Sequence, residues 1–125
     1  METRGKALVT GASSGIGRET AIRLAKEGFQ VIAAARRKER LDELAKRSPN
    51  IVPRPVDLSD SQALDDFSRE LLNLSEPVTV LINNAGFSLR GALEDVSLSA
   101  VKSLFEVNLF ALIKITQACL PGCVG

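Results

Sequence analysis

Eight residues near the start of the chain, Thr10-Gly11-Ala12-Ser13-Ser14-Gly15-Ile16-Gly17, stand directly after the apolar run Ala7-Leu8-Val9 and directly before a helical pattern. A strand must deliver the chain to this glycine turn, and a helix must leave it. Glycine permits positive φ and close approach of backbone. A helix starting there aims unpaired N–H groups and its positive dipole end over the turn, which suits a phosphate. The spacing Gly-x-x-x-Gly-x-Gly differs from the Gly-x-Gly-x-x-Gly of the general dinucleotide loop, and taken alone it also fits an ordinary Gly/Ser connection.

Strand-length apolar runs recur at Lys6–Thr10, Gln30–Ala35, Ile51–Val56 and Val78–Asn83, with helical patterns between them. This alternation predicts an α/β fold with a parallel sheet covered on both faces. The first helix is expected over Gly15–Lys26, with Gly28 placed to stop it, and the second over Lys38–Arg47 with Leu41, Leu44 and Ala45 inward. The third opens at Ser59 or Asp60, either of which can cap it, and buries Leu64, Phe67, Leu71 and Leu74 ahead of Pro77. Pro53 and Pro55 lack the N–H that an interior ladder position donates, so the third strand is expected at a sheet edge. That position fits the order 3-2-1-4 of a doubly wound sheet and not a sequential one. A long element over Leu98–Leu120 is apolar nearly all round and predicts burial on two sides.

With 125 residues, 45% of them hydrophobic, one domain over residues 1–125 is expected. Sixteen Lys+Arg against fifteen Asp+Glu create no global field for nucleic acid or an anionic membrane. No stretch has the length and purity of a spanning helix, and the start of the chain lacks a signal-peptide pattern, so a cytoplasmic protein is expected. Cys119 and Cys123 read as reduced thiols, a local disulfide or redox pair being the alternative, and with no histidine in the chain no metal site is expected.

Three later features agree with the glycine turn. The second strand ends Ala35-Arg36-Arg37, nineteen positions beyond Gly17, where an acidic residue would bind the ribose hydroxyls of NAD and an arginine accommodates the extra phosphate of NADP. A guanidinium pairs bidentately with phosphate, so NADP is preferred over NAD; the alternative is that Arg36, Arg37, Lys38 and Arg40 form a solvated basic turn. Asp57 in Val56-Asp57-Leu58-Ser59 falls at the carboxyl end of the third strand, where it can accept from an adenine amino group or serve helix entry. Asn83-Asn84-Ala85-Gly86 closes the fourth strand with two amides and two small residues that let backbone approach a ligand; in isolation it is only a turn.

Together with Val107-Asn108-Leu109, these motifs resemble the short-chain dehydrogenase/reductase family in order and spacing up to about Leu120. The resemblance implies a Rossmann-like doubly wound parallel sheet, here ending after the fourth strand and the following long helix. It implies that Gly11, Ser13, Gly15, Ile16 and Gly17 line the pyrophosphate and adenosine ribose, with Ser13 and Arg36 on the 2′-phosphate and with Ser14 and Arg37 also among the cofactor-binding residues. Asp57 and Leu58 would touch adenine, and Asn84, Ala85 and Gly86 would pass along the ribose. Asn83 would tie the central strands together, and Asn108 would kink its helix and hold a water of the proton relay.

The implied reaction is NADP-dependent hydride exchange between an alcohol and a ketone, and the stretches over residues 86–96 and 105–110 resemble members acting on lipophilic substrates. The family's proton donor is a tyrosine with a lysine four positions later, and this chain contains no tyrosine. Ser88 and Ser99 have no base beside them in sequence, and Lys102 and Lys114 are expected to be solvated. The chain therefore resembles the N-terminal half of a reductase. A non-catalytic NADP-binding module and a remnant of a broken gene are the alternatives. An apolar fourth strand exposed as an edge makes a homo-oligomer, or a marginally stable chain, the expected state.

Overall fold

The computed structural model describes residues 4–13, 15–84 and 113–119. Its elements run β1 (Lys6–Thr10), α1 (Gly15–Lys26), β2 (Gln30–Ala35), α2 (Lys38–Ala45), β3 (Ile51–Pro55), α3 (Ser61–Leu72) and β4 (Val78–Ile82), and residues 113–119 are helical. The strands form one parallel sheet in the order β3-β2-β1-β4. The two prolines of β3 therefore lie on an outer strand, where their missing N–H groups interrupt no interior ladder. Between Lys6↔Val78 and Ala7↔Val80 the register slips by one residue, and the Thr79 hydroxyl donates to the Lys6 carbonyl at 3.4 Å.

Helices cover both faces. Val9, Val31, Ala33 and Ile51 pack with Ala21 and Ala25 of α1 and with Leu41 and Leu44 of α2. Leu8, Ala34, Val56 and Val78 pack with Leu64, Phe67 and Leu71 of α3 and with Ile115, Ala118 and Cys119. Adjacent residues Leu8 and Val9 thus serve opposite cores, the pleat of a central strand buried on both sides. In α1 the buried residues are Gly17, Ala21 and Ala25, a stripe at four-residue steps that lets this helix lie close to the sheet.

Helix ends follow local chemistry. Gly28, at φ 99°, closes α1: its N–H donates to the Ala25 carbonyl and that of Phe29 to Leu24, a Schellman pairing that occupies two terminal carbonyls. The second helix ends at Ala45, short of the expected Arg47. There the N–H groups of Lys46 and Arg47 turn back to Glu43 and Leu44 in the tighter three-residue pattern, ahead of Pro49, which disfavours helical geometry at Ser48. Asp60 caps α3, its carboxylate accepting from the N–H groups of Gln62 and Ala63, while Ser59 is engaged by Asp57.

Of the long element expected over Leu98–Leu120, residues 113–119 are described. Ile115 is fully buried there, while Ile113 is 47% exposed. Lys114 departs from the expectation of a solvated side chain. It is half-buried and its ammonium lies 3.0 Å from the Asp65 carboxylate, because the helical segment packs beside α3 and turns this side chain toward it. Lys102, Ser88, Ser99 and Cys123 lie outside the described residues. Among the described residues no helix is long and apolar enough to cross a membrane, and no group of side chains could hold a metal ion.

Candidate functional site

Two polar residues are buried among the described ones, Ser68 and Thr10. Ser68 is satisfied within α3 by donating to the Leu64 carbonyl at 2.8 Å. Thr10 sits at the carboxyl end of β1, where the glycine turn begins and β4 finishes alongside. Its hydroxyl accepts from the Asn84 backbone N–H at 3.0 Å and faces the Asn83 side-chain carbonyl at 3.4 Å. The Asn84 carboxamide donates to the Gly11 carbonyl at 3.4 Å, and the Asn83 carboxamide donates to the Thr116 hydroxyl at 3.2 Å. The ends of β1 and β4, the turn and the helical segment 113–119 are thus joined by side-chain amides and hydroxyls.

Within the turn, Gly11 has φ 63° and Gly15 φ 59°, left-handed conformations that strain any residue with a Cβ. Gly17 is required for space: a Cβ there would collide with the Gly11 carbonyl and come within 2.7 Å of the Asn84 amide nitrogen. Among the described residues the space over Gly15 is open, with nothing within 4 Å of where its Cβ would be. The first turn of α1 carries no acidic residue, and Ile16 stands 76% exposed beside it. The Ala12 N–H donates to the Ala34 carbonyl at 3.2 Å, fixing the turn against β2.

At the end of β2, Arg36 and Arg37 are exposed, and Arg37 occupies the cap position of α2 without a side-chain bond to its N–H groups. Asp57 lies on the same rim after β3. One of its carboxylate oxygens accepts from the Ser59 hydroxyl at 2.6 Å and from the Ser59 N–H at 3.0 Å. The Ser59 hydroxyl is the main cause holding the Asp57 carboxyl below its usual range; burial opposes it, and the Ser59 backbone bond and the Arg36 charge assist. Leu58 is partly buried and turns its side chain onto the core cluster around α3.

The rim therefore gathers Gly11, Ser13, Gly15, Ile16, Gly17, Arg36, Arg37, Asp57, Leu58 and Asn84 at the carboxyl ends of the strands. Ser14, Ala85, Gly86 and Asn108 lie outside the described residues. Sequence reasoning does not find Ser59 as the partner of Asp57, nor Thr116 as the partner of Asn83. The first has a local signal in its two-residue spacing. The second, 33 positions away, has none.

A glycine-lined rim of this kind at the end of a parallel sheet is where open α/β folds bind nucleotides. A family model described as short chain dehydrogenase matches residues 5–124. L-xylulose reductase of Mus musculus is 39% identical over 120 residues, 96% of this chain and 48% of the relative. A short-chain dehydrogenase from Sphingobium yanoikuyae, solved in complex with NADPH, superposes with a TM-score of 0.82 at 32% identity, covering 94% of this chain and 47% of that one. The bulky-bulky ketone specific alcohol dehydrogenase from Comamonas testosteroni matches with a TM-score of 0.82 and 32% identity, over 94% of this chain and 49% of that one. The chain spans about half the length of these relatives. The family model nevertheless matches nearly all of the chain's own length, and the chain belongs to the short-chain dehydrogenase family.

Proposed function

We propose that this chain is the NADP(H)-binding half of a short-chain oxidoreductase that interconverts an alcohol and a ketone. One observation carries the cofactor choice: the rim position where an acidic residue would select NAD is held by Arg36, exposed and followed by Arg37. The residues present fit the group. The open space over Gly15, the absence of an acidic side chain in the first turn of α1 and the backbone approach at Gly17 suit a pyrophosphate at the helix N-terminus. In this reading the N–H groups at the start of α1 hold the pyrophosphate, and Ser13, Arg36 and Arg37 hold the 2′-phosphate. Asp57 accepts from the adenine amino group with the carboxylate oxygen that Ser59 leaves unused, and Asn84 lies along the ribose. When bound, the nicotinamide supplies the hydride.

The Sphingobium protein was solved with NADPH, and the Comamonas protein is described as ketone-specific; both support the choice of cofactor and substrate class. A second reading, cofactor binding without turnover, is favoured by the composition: with no tyrosine, these 125 residues hold no phenol to protonate the substrate oxygen.

The test is calorimetric titration of the purified chain with NADPH, with NADH and an Arg36→Ala variant alongside. NADPH is expected to bind at micromolar concentration, to bind the variant about tenfold or more weakly, and to outcompete NADH only in the parent chain. Equal affinity of parent and variant would overturn the assignment of Arg36. Ketone-dependent oxidation of NADPH by the same sample distinguishes a catalyst from a module that only binds.

A further inference from the structure

We propose that Thr116 is a positioning residue for the cofactor turn, acting through the orientation of the Asn83 carboxamide; this rests on the reading of the rim as a nucleotide site. An asparagine carboxamide has two ends of nearly equal shape and opposite hydrogen-bonding sense. The Asn83 nitrogen donates to the Thr116 hydroxyl at 3.2 Å, which leaves its oxygen turned toward the Thr10 hydroxyl at 3.4 Å. Thr10 can then point its proton at Asn83 or at the Ile82 carbonyl, 3.5 Å away, and keep a lone pair for the Asn84 N–H at 3.0 Å. Asn84 in turn reaches the Gly11 carbonyl, the group against which Gly17 is packed.

Removing the Thr116 hydroxyl removes the acceptor that sets this order. The carboxamide can then rotate and present N–H groups to Thr10, competing with the Asn84 N–H for its lone pairs. The helical segment 113–119 is itself held in place by the buried Ile115 and by the Lys114–Asp65 pair. Thr116 therefore refers the end of β4, and through it the turn, to an element that does not belong to the rim.

The experiment compares Thr116→Val, which keeps the shape and loses the hydroxyl, with Thr116→Ser, which keeps the hydroxyl, in the full chain. Two quantities are read: hydrogen exchange at the Asn84 amide without cofactor, and NADPH affinity by calorimetry. Thr116→Val is expected to speed Asn84 exchange and weaken NADPH binding about threefold to tenfold, with Thr116→Ser close to the parent in both. In an Asn83→Ala background the same Val substitution is expected to have no further effect on either. Unchanged exchange at Asn84 in Thr116→Val, or a Ser variant as impaired as the Val variant, would overturn the proposal. So would faster exchange with unaltered NADPH affinity. A parent chain that binds no NADPH would sink the nucleotide reading, and the cofactor-free exchange comparison would still decide whether Thr116 orders the end of β4.

Discussion

Gly15 and Gly17 stand two residues apart in one turn, and the structure requires glycine at each for a different reason. Gly15 needs a left-handed backbone and has no described neighbour where a Cβ would go; Gly17 lies in the helix and has the Gly11 carbonyl there. Gly15→Ala is therefore expected to fold and to lose about 1–2 kcal/mol to backbone strain. Gly17→Ala must push the turn away from α1, so it is expected to lower thermal stability further, by about 1–3 kcal/mol or more, and to abolish NADPH binding. Thermal unfolding and calorimetry of the two variants check this, and a Gly17→Ala chain that is no worse than Gly15→Ala would contradict the packing argument. The spacing of the glycines is visible in the sequence, as are the arginines at the end of β2. What distinguishes one glycine from the next is not, because the neighbour of Gly17 is the carbonyl of Gly11, brought there by the curvature of the turn. Asp57 is legible as both an adenine acceptor and a helix-entry residue. The structure gives the cap of α3 to Asp60 and binds Asp57 to Ser59 in the turn that leads into it, at the rim.

At the scale of elements, α1 runs over the residues its pattern marks, because a glycine turn starts it and Gly28 stops it, and both signals are local. The end of α2 falls two residues before its pattern ends, because Lys46 and Arg47 are good helix formers whose backbone tightens ahead of Pro49. The attachment of β3 to α3 has no sequence signal. Arg54 donates to both carboxylate oxygens of Glu70, sixteen positions along, with its guanidinium 5.3 Å from the centre of the Phe67 ring. Hydrogen bonding from Arg54 holds the Glu70 carboxyl below its usual range, against the opposing effect of burial. A depressed carboxyl contributes stability that is present above its unfolded value and is lost as pH falls through the folded one. Both side chains are part-exposed, so the contribution is small, about 0.2–1 kcal/mol. Glu70→Gln is expected to show that deficit in urea unfolding at neutral pH, and the gap from the parent is expected to close below about pH 4. A gap that persisted at acid pH would mean that packing of the Glu70 side chain, and not its charge, ties β3 to α3.

For the molecule as a whole, the two outer strands of the described sheet differ in how they meet solvent. On β3, Pro53 and Pro55 remove two donors and Arg54 is clamped to α3, which makes that edge a poor template for another strand. The prolines make this edge legible in the sequence, and with it the strand order. On β4 the run Val-Thr-Val-Leu-Ile has neither proline nor lysine, and β4 is an outer strand of the described sheet, beside β1. An apolar strand presenting N–H and C=O groups on one side favours pairing with a second copy. The 125-residue chain is therefore expected to self-associate, with a sedimentation coefficient that rises with concentration through the micromolar range. Thr79→Lys is the informative variant, because Thr79 is exposed at the position where the β1–β4 register slips, so a charge there opposes edge pairing while costing one hydroxyl bond to the Lys6 carbonyl and no backbone ladder bond. Dissociation by this variant, reversed by salt that screens the charge, would place the contact at β4. A parent chain that sediments as a monomer at every concentration would mean that this edge is covered within the chain itself.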